Sequence, residues 1–190
     1  MGPVILAPKR FSDPRGWFSE TYNASRVTAA GVRAEFCQDN QSFSSEAGTL
    51  RGIHFQAPPF AQAKLVRCLR GAILDVLVDL RRASPTFGEW RSVELTADNG
   101  LQLFIPRGYG HAFLTLEPAC EIAYKVDGFY NPDADGGVIW NDRSLAVDWG
   151  LATGEPKLSD KDAALPSLDA FAVDFPYDGE DLGDLKTITV

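Results

Sequence analysis

The chain holds two histidines, His54 and His111, the residue type whose side chain ordinarily ionises nearest neutral pH. His54 lies in Leu50-Arg51-Gly52-Ile53-His54-Phe55-Gln56, with Lys64 following; His111 ends Ile105-Pro106-Arg107-Gly108-Tyr109-Gly110-His111 and runs on into Ala112-Phe113. Imidazole serves readily as a base or as a metal ligand, so two of them facing one cavity would define a site. A lone histidine in a strand is more often a hydrogen-bonded core residue. What decides between these is the set of elements that carries the pair.

Those elements read as short strands. From Arg51 to Trp149 alternating segments are punctuated by Gly, Pro, Asp and Asn, the pattern of an all-β sandwich or barrel. Lys64–Arg70 runs to a turn at Gly71 and Ile73–Leu80 follows, which predicts a hairpin with Leu74, Val76, Val78 and Leu80 on one face and the aspartates on the other. Trp90–Thr96, Leu101–Pro106, Ala112–Leu116 and Glu121–Asp127 extend the series, with Asp98-Asn99-Gly100 as a tight-turn signal. A short helix is expected within Ser19–Gly31. Another is expected after Ser159, where Ser159-x-x-Asp162 is a capping pattern, ending before Pro166. The acidic tail after Asp174, including 175–190, is expected to be loosely ordered.

At 190 residues, 45% hydrophobic and 23% charged, the chain fits a single domain, residues 1–190, with a substantial core, and neither disorder nor a fibre. No run reaches the ~20 apolar residues of a membrane span, and the start carries no secretory pattern. A cytoplasmic protein is expected. Cys37, Cys68 and Cys120 are odd in number and widely spaced, so buried free thiols are expected rather than disulfides or zinc. A net charge of −8 opposes nucleic-acid binding. The cations Arg10, Arg15, Arg51, Lys64, Arg67, Arg70 and Arg107 all precede the acidic end, so a bound phosphate would belong to the first two-thirds.

Pro106-Arg107-Gly108-Tyr109-Gly110-His111 resembles the P-x-G-x-x-H half of the cupin signature, in which a turn aims a histidine into a β-barrel. In metal-binding cupins the other half supplies H-x-H and a glutamate; here Gln56 stands in place of the second histidine. The metal cage is incomplete, although two histidines and a carboxylate could hold Fe or Mn as a facial triad.

A longer ordered series is more specific. It comprises Phe11–Glu20 (FSDPRGWFSE), Gln38–Ser42 (QDNQS), Leu50–Gln56, Ala63–Cys68, Ser84–Gly88, Ile105–Phe113, Tyr124-Lys125, Phe129-Tyr130, Trp140-Asn141-Asp142 and Leu158–Ala164. With these residues, over roughly 3–170, the chain resembles the dTDP-4-dehydrorhamnose 3,5-epimerases, metal-free cupin-type enzymes of sugar-nucleotide metabolism. The resemblance implies a cupin-like jelly roll with short flanking helices, no cofactor, and a homodimer in which the segment 1–50 crosses to the partner's site. It implies a dTDP-linked keto sugar, dTDP-4-dehydro-6-deoxy-D-glucose, epimerised at carbons 3 and 5. Single-centre epimerases of deoxysugar pathways share the same motifs. A metal-dependent cupin oxygenase and a non-catalytic sugar-nucleotide binder are the other readings.

Epimerising a carbon beside a ketone takes a base, an acid on the opposite face, and positive charge near the enolate oxygen. His54, Tyr124 and Lys64 are of those types. By the resemblance His54 is the base, oriented by Asp162, and Tyr124 is the acid, while Lys64 and His111 face the enolate. The residues alone leave Asp162 either in a dyad with His54 or in the cap of its helix. They also leave Tyr124 as a core tyrosine. The resemblance places Arg15, Glu20, Gln38, Asn40, Arg51 and Arg107 near the nucleotide, and Tyr130 and Trp140 as stacking surfaces, with core packing the alternative for Trp140. One difficulty is geometric: in a regular strand Arg51 and His54 point to opposite faces. A bulge at Gly52 would bring both to one cavity.

Overall fold

The computed structural model describes residues 1–151 and 154–190. In chain order the strands are β1 (Val4–Ala7), β2 (Arg10–Asp13), β3 (Gly16–Ser19), β4 (Gln38–Ser44), β5 (Leu50–Gln56), β6 (Lys64–Arg70), β7 (Ala72–Asp79), β8 (Trp90–Thr96), β9 (Gln102–Ile105), β10 (Tyr109–Thr115), β11 (Cys120–Val126), β12 (Asp135–Gly137) and β13 (Lys186–Thr189). Two short helices, α1 (Ala24–Ala29) and α2 (Asp160–Ala163), flank them. A six-stranded sheet in the order β13-β1-β9-β6-β11-β4 faces a five-stranded sheet in the order β12-β5-β10-β7-β8, and β2 and β3 form a separate hairpin. Two facing sheets connected in this way make a jelly roll. Among the described residues no helix is long and apolar enough to cross a membrane.

The predicted β6–β7 hairpin does not form. β6 pairs with β11 and β9, whereas β7 pairs with β10 and β8, so the turn at Gly71 carries the chain from one sheet to the other. Gly71 has φ +76°, and a Cβ there would stand 2.7 Å from Cys120 Sγ, so the corner requires glycine. The Asp98-Asn99-Gly100 turn likewise takes the chain from β8 to β9 in the opposite sheet. Sheet switching at short corners puts consecutive strands face to face instead of side by side.

Three apolar layers result. Between the sheets lie Val66, Ile73, Leu77, Leu95, Leu103, Ile105, Phe113 and Ile122. On the outer face of the five-stranded sheet Ile53, Phe55, Val76, Val78, Leu80 and Ala112 are covered by Val138, Leu145, Trp149, Phe171 and Phe175. On the outer face of the other sheet Val4, Leu6, Leu65 and Phe104 are covered by Val27 of α1 and by Val32. Each fully buried Leu, Ile or Phe contributes ~1.5–3 kcal/mol.

The faces of β7 divide as predicted, with Leu74, Val76, Val78 and Leu80 against the outer layer and Asp75 and Asp79 on the inward face beside Ile73 and Leu77, and because both faces are covered the two aspartates are fully buried. The tail, expected to be loose, is ordered. β13 runs parallel to β1 from Val4↔Lys186 to Ala7↔Thr189, Leu182 is buried, and Asp178 pairs with the buried Arg81. An edge strand needs only backbone partners, which acidic composition does not reveal. α1 is shorter than the expected span because Asn23 caps it, accepting from the amides of Ser25 and Arg26. Cys68 and Cys120 are buried; Cys37 is exposed, in the segment leading into β4.

Candidate active site

Alternation along the strands decides what faces the space between the sheets. On β5 Ile53 and Phe55 join the outer layer, which turns His54 inward. On β10 Ala112 and Leu114 point outward and His111 inward, and the two histidines are direct cross-strand partners. From the opposite sheet Lys64 of β6, Tyr124 of β11, and Gln38, Asn40 and Ser42 of β4 face them. The pairing Tyr124↔Asn40 and Ile122↔Ser42 keeps these β4 residues on the same face as the tyrosine.

The expected bulge is present. His111 pairs with His54 and Phe113 with Arg51, so β5 spends one more residue than β10 between the two pairs. Gly52 adopts φ +126°, and a Cβ on it would meet Ala112 Cβ at 2.4 Å and His111 O at 2.6 Å. No other residue fits that approach. The extra residue brings Arg51 to the hollow that holds His54, His111, Lys64, Tyr124 and Asp162. Arg51 also donates to Ser44 Oγ at 3.3 Å and to Phe43 O at 3.1 Å.

This hollow, of about 270 Å³, adjoins a second of about 220 Å³ that holds Gln38, Asn40, Tyr130 and Asp135; His54, Lys64, Tyr124 and Lys161 line both. A larger hollow of about 900 Å³ lies elsewhere, walled by Met1, Arg33, Arg107, Asp127 and Phe175, and none of the proton-transfer candidates reaches it.

Asp162 serves both of the roles expected as alternatives. Ser159 Oγ accepts from the Asp162 amide at 3.1 Å, which caps α2 through the backbone. The carboxylate is thereby free to meet His54 Nε2 at 2.6 Å. Burial pushes the Asp162 carboxyl up, but the hydrogen bond and charge of His54, with the Gly52 amide and Ser159, outweigh it and hold the group below the usual carboxylate range. With Nε2 engaged by Asp162, Nδ1 is the nitrogen available to a substrate.

His111 has its own carboxylate, which sequence reasoning missed: Nε2 meets Asp75 Oδ1 at 2.5 Å. Burial lowers the His111 pKa, with Asp75 opposing. Burial also lowers Lys64 to about 8, against the attraction of Asp75 and Asp135. Tyr124 is raised by burial, with Arg51 opposing, so its phenol stays protonated at neutral pH. The signal for Asp75 was available. Ile73, Leu74, Val76, Leu77 and Val78 leave neither face of β7 polar, so any aspartate among them is buried. Asp135 and Lys161 were also missed; they pair with each other at the mouth, where Tyr130 Oη donates to Asp135 Oδ2 at 3.1 Å.

Gln56 is committed to the fold. It donates to Phe60 O at 2.8 Å and Phe129 O at 3.3 Å and accepts from the Asn131 amide at 2.7 Å, tying two loops together at the mouth. Among the described residues no group of three or more His, Cys, Asp or Glu is placed to hold a metal ion.

Four predicted residues lie outside the hollow in this chain. Arg15 pairs with Asp13 in the exposed β2–β3 hairpin, and Glu20 pairs with Arg26. Arg107 pairs with Asp127 in the larger hollow. Trp140 packs against the outer apolar layer, its carbonyl accepting from Trp149 Nε1 at 3.0 Å. The stacking expectation for Trp140 is thus corrected: after β12 the chain folds back over the outer face and takes this side chain away from the cavity.

By fold and inner wall this is a jelly-roll protein equipped for proton transfer. A family model described as dTDP-4-dehydrorhamnose 3,5-epimerase matches residues 1–170. The protein of that name from Escherichia coli K12 is 47% identical over 167 residues, spanning 87% of this chain and 89% of its own. The crystal structure of the Bacillus anthracis enzyme, with TDP and PPi bound, is 50% identical with a TM-score of 0.84, covering 87% of this chain and 93% of that one. The Legionella pneumophila enzyme in complex with dTDP-4-keto-L-rhamnose is 38% identical with a TM-score of 0.85, covering 91% and 93%. The chain belongs to the dTDP-4-dehydrorhamnose 3,5-epimerase family.

Proposed function

We propose that the protein epimerises dTDP-4-dehydro-6-deoxy-D-glucose at carbons 3 and 5, giving dTDP-4-dehydro-β-L-rhamnose through enolate intermediates. The observation that carries this reading is the opposition of His54 and Tyr124, which enter one hollow from facing sheets with Lys64 between the same walls. His54 Nδ1 takes the proton from the carbon beside the ketone, and Asp162 stabilises the imidazolium so formed. Lys64, with His111 beside it, faces the charge that develops on the carbonyl oxygen. Tyr124 returns a proton from the other side, which inverts the centre.

Gln38, Asn40, Arg51 and Tyr130 line the hollows around this chemistry and suit the nucleotide end, Arg51 as a phosphate ligand. Arg15 and Glu20 reach a partner's site in a homodimer. The β2–β3 hairpin supports this, since it stands apart from both sheets and exposes Phe11, Trp17 and Phe18. The test is the keto sugar in heavy water, with deuterium followed at each carbon. Uptake and inversion at both carbons are expected; uptake at one alone would reassign the protein to the single-centre epimerases.

A further inference from the structure

Asp75 has no part in the proton-transfer scheme, yet it is fully buried at the floor of the site. Its Oδ1 accepts from His111 Nε2, while its Oδ2 is buried without a hydrogen-bond partner. A carboxylate in such surroundings is strongly disfavoured unless a cation balances it. His111 does not supply that cation, because burial favours its neutral form. The other charged or titratable groups around the hollows are Lys64 on β6, Arg51 and His54 on β5, Tyr124 on β11, Asp135 on β12, and Lys161 and Asp162 on α2. Arg51 is directed to Ser44 and Phe43 O, and Lys161 to Asp135. Among the described residues Lys64 and Arg51 are the cations of these hollows without an ion-pair partner, and Arg51 is taken up by its two hydrogen bonds, which leaves Lys64 as the cation that shares a hollow with His111, the partner of Asp75.

We propose that Asp75 is a positioning residue for Lys64 and His111: Oδ1 fixes His111 as its neutral Nε2–H tautomer, and Oδ2 supplies the counter-charge that keeps Lys64 an ammonium. The assignment rests on Lys64 facing the enolate oxygen, since the neutral His111, its Nε2–H given to Asp75, offers the hollow an acceptor at Nδ1 and no donor for that oxygen. A carboxylate that charges one partner and orients the other lets the site present a cation and a neutral imidazole side by side. Without it, the two would compete for protons in a buried space. The attraction of Asp75 opposes the desolvation of Lys64, so removing that charge lowers the Lys64 midpoint below its value of about 8.

The test is an NMR titration of the Lys64 side chain and the His111 ring nitrogens in the parent, Asp75→Asn and Asp75→Glu, alongside kcat and KM across pH. In Asp75→Asn the Lys64 midpoint is expected to fall by about one unit or more. The alkaline limb of kcat should move down with it while KM stays near the parent value, and Asp75→Glu should recover part of both shifts. An unchanged Lys64 midpoint in Asp75→Asn overturns the proposal. Should Asp75→Asn fail to fold, the parent decides: a neutral Nε2–H His111 beside a charged Lys64 at pH 7 upholds the assignment, and a cationic His111 or a neutral Lys64 overturns it. The titrations need no substrate, so they stand or fall separately from the epimerase reading.

Discussion

Asp75 and Asp79 lie four residues apart on the same inward face of β7, both fully buried, and their surroundings differ completely. Asp79 is saturated. It accepts from Arg81 N at 3.0 Å, Arg81 Nε at 2.9 Å, Arg81 Nη2 at 2.8 Å, Ser84 Oγ at 2.7 Å and Thr86 Oγ1 at 2.8 Å. Arg81 is itself closed off by Tyr109 and by Asp178 of the tail. The cluster around Asp75 keeps an oxygen unpaired beside a cavity, and the lysine and tyrosine that face it are available to a ligand. A buried polar network whose valences are all met holds a shape, whereas one with valences left over is placed to act on something else.

That contrast can be broken first at the base. His54→Ala should lower both deuterium exchange and epimerisation by on the order of 10²–10⁴. Its thermal midpoint should stay close to the parent's, since the His54 side chain is 31% exposed. Full exchange in His54→Ala would remove the base from this position. Asp79→Ala should do the opposite, costing about 3–5 kcal/mol of unfolding free energy by leaving Arg81 buried with its main partner gone. Denaturant unfolding measures this, and the folded fraction should retain the parent kcat. A loss of turnover without a loss of stability would place Asp79 with the chemistry.

Tyr124→Phe sharpens the division within the site. It leaves His54 and Lys64 in place, so exchange with solvent should continue while inversion falls on the order of 10²; inversion of both centres at the parent rate would exclude Tyr124 as the acid. The smallest effects separate the two bonds of Asp162. Ser159→Ala removes only the cap and should cost about 1 kcal/mol of stability with exchange unchanged. Asp162→Asn should weaken the base by an intermediate amount. It should also abolish a pH-dependent stabilisation that, for a carboxyl lowered on folding, is present above about pH 4 and lost as the pH falls through the folded value. Equal effects of the two substitutions on exchange would mean that the carboxylate acts only through the helix.

Much of the site was legible residue by residue. His54, His111, Lys64 and Tyr124 are conspicuous by type, and Gly52 between Arg51 and His54 announced the bulge that brings both to one cavity. The strand periods from Arg51 to Asp127 were equally clear, whereas β1 and β4, which join the six-stranded sheet from before Arg51, were not read as strands. Strand pairing was not clear, because β6 and β7 adjoin in sequence and belong to different sheets, a choice made at the Gly71 corner. The tail read as loose because its side chains are acidic, but β13 is held by the backbone of β1 and its neighbours by Arg81. Trp140 is ambiguous in any sequence window; the fold-back over the outer sheet assigns it to packing.

The sequence by itself determined an all-β chain with an incomplete metal signature and a set of groups suited to moving protons beside a carbonyl. Local chemistry suffices for that, since strand period, turn glycines and functional side chains are written in adjacent residues. Only the tertiary structure decided that Asp75 lies beneath His111 and that Asp162 serves the cap with its amide and the dyad with its carboxylate. It also decided which of two buried aspartates was left unsatisfied. The reason is physical: burial and pairing at each point are set by segments tens of residues away, and because Val138, Leu145, Trp149, Phe171 and Phe175 cover the outer face of β7, its aspartates are left to the space between the sheets.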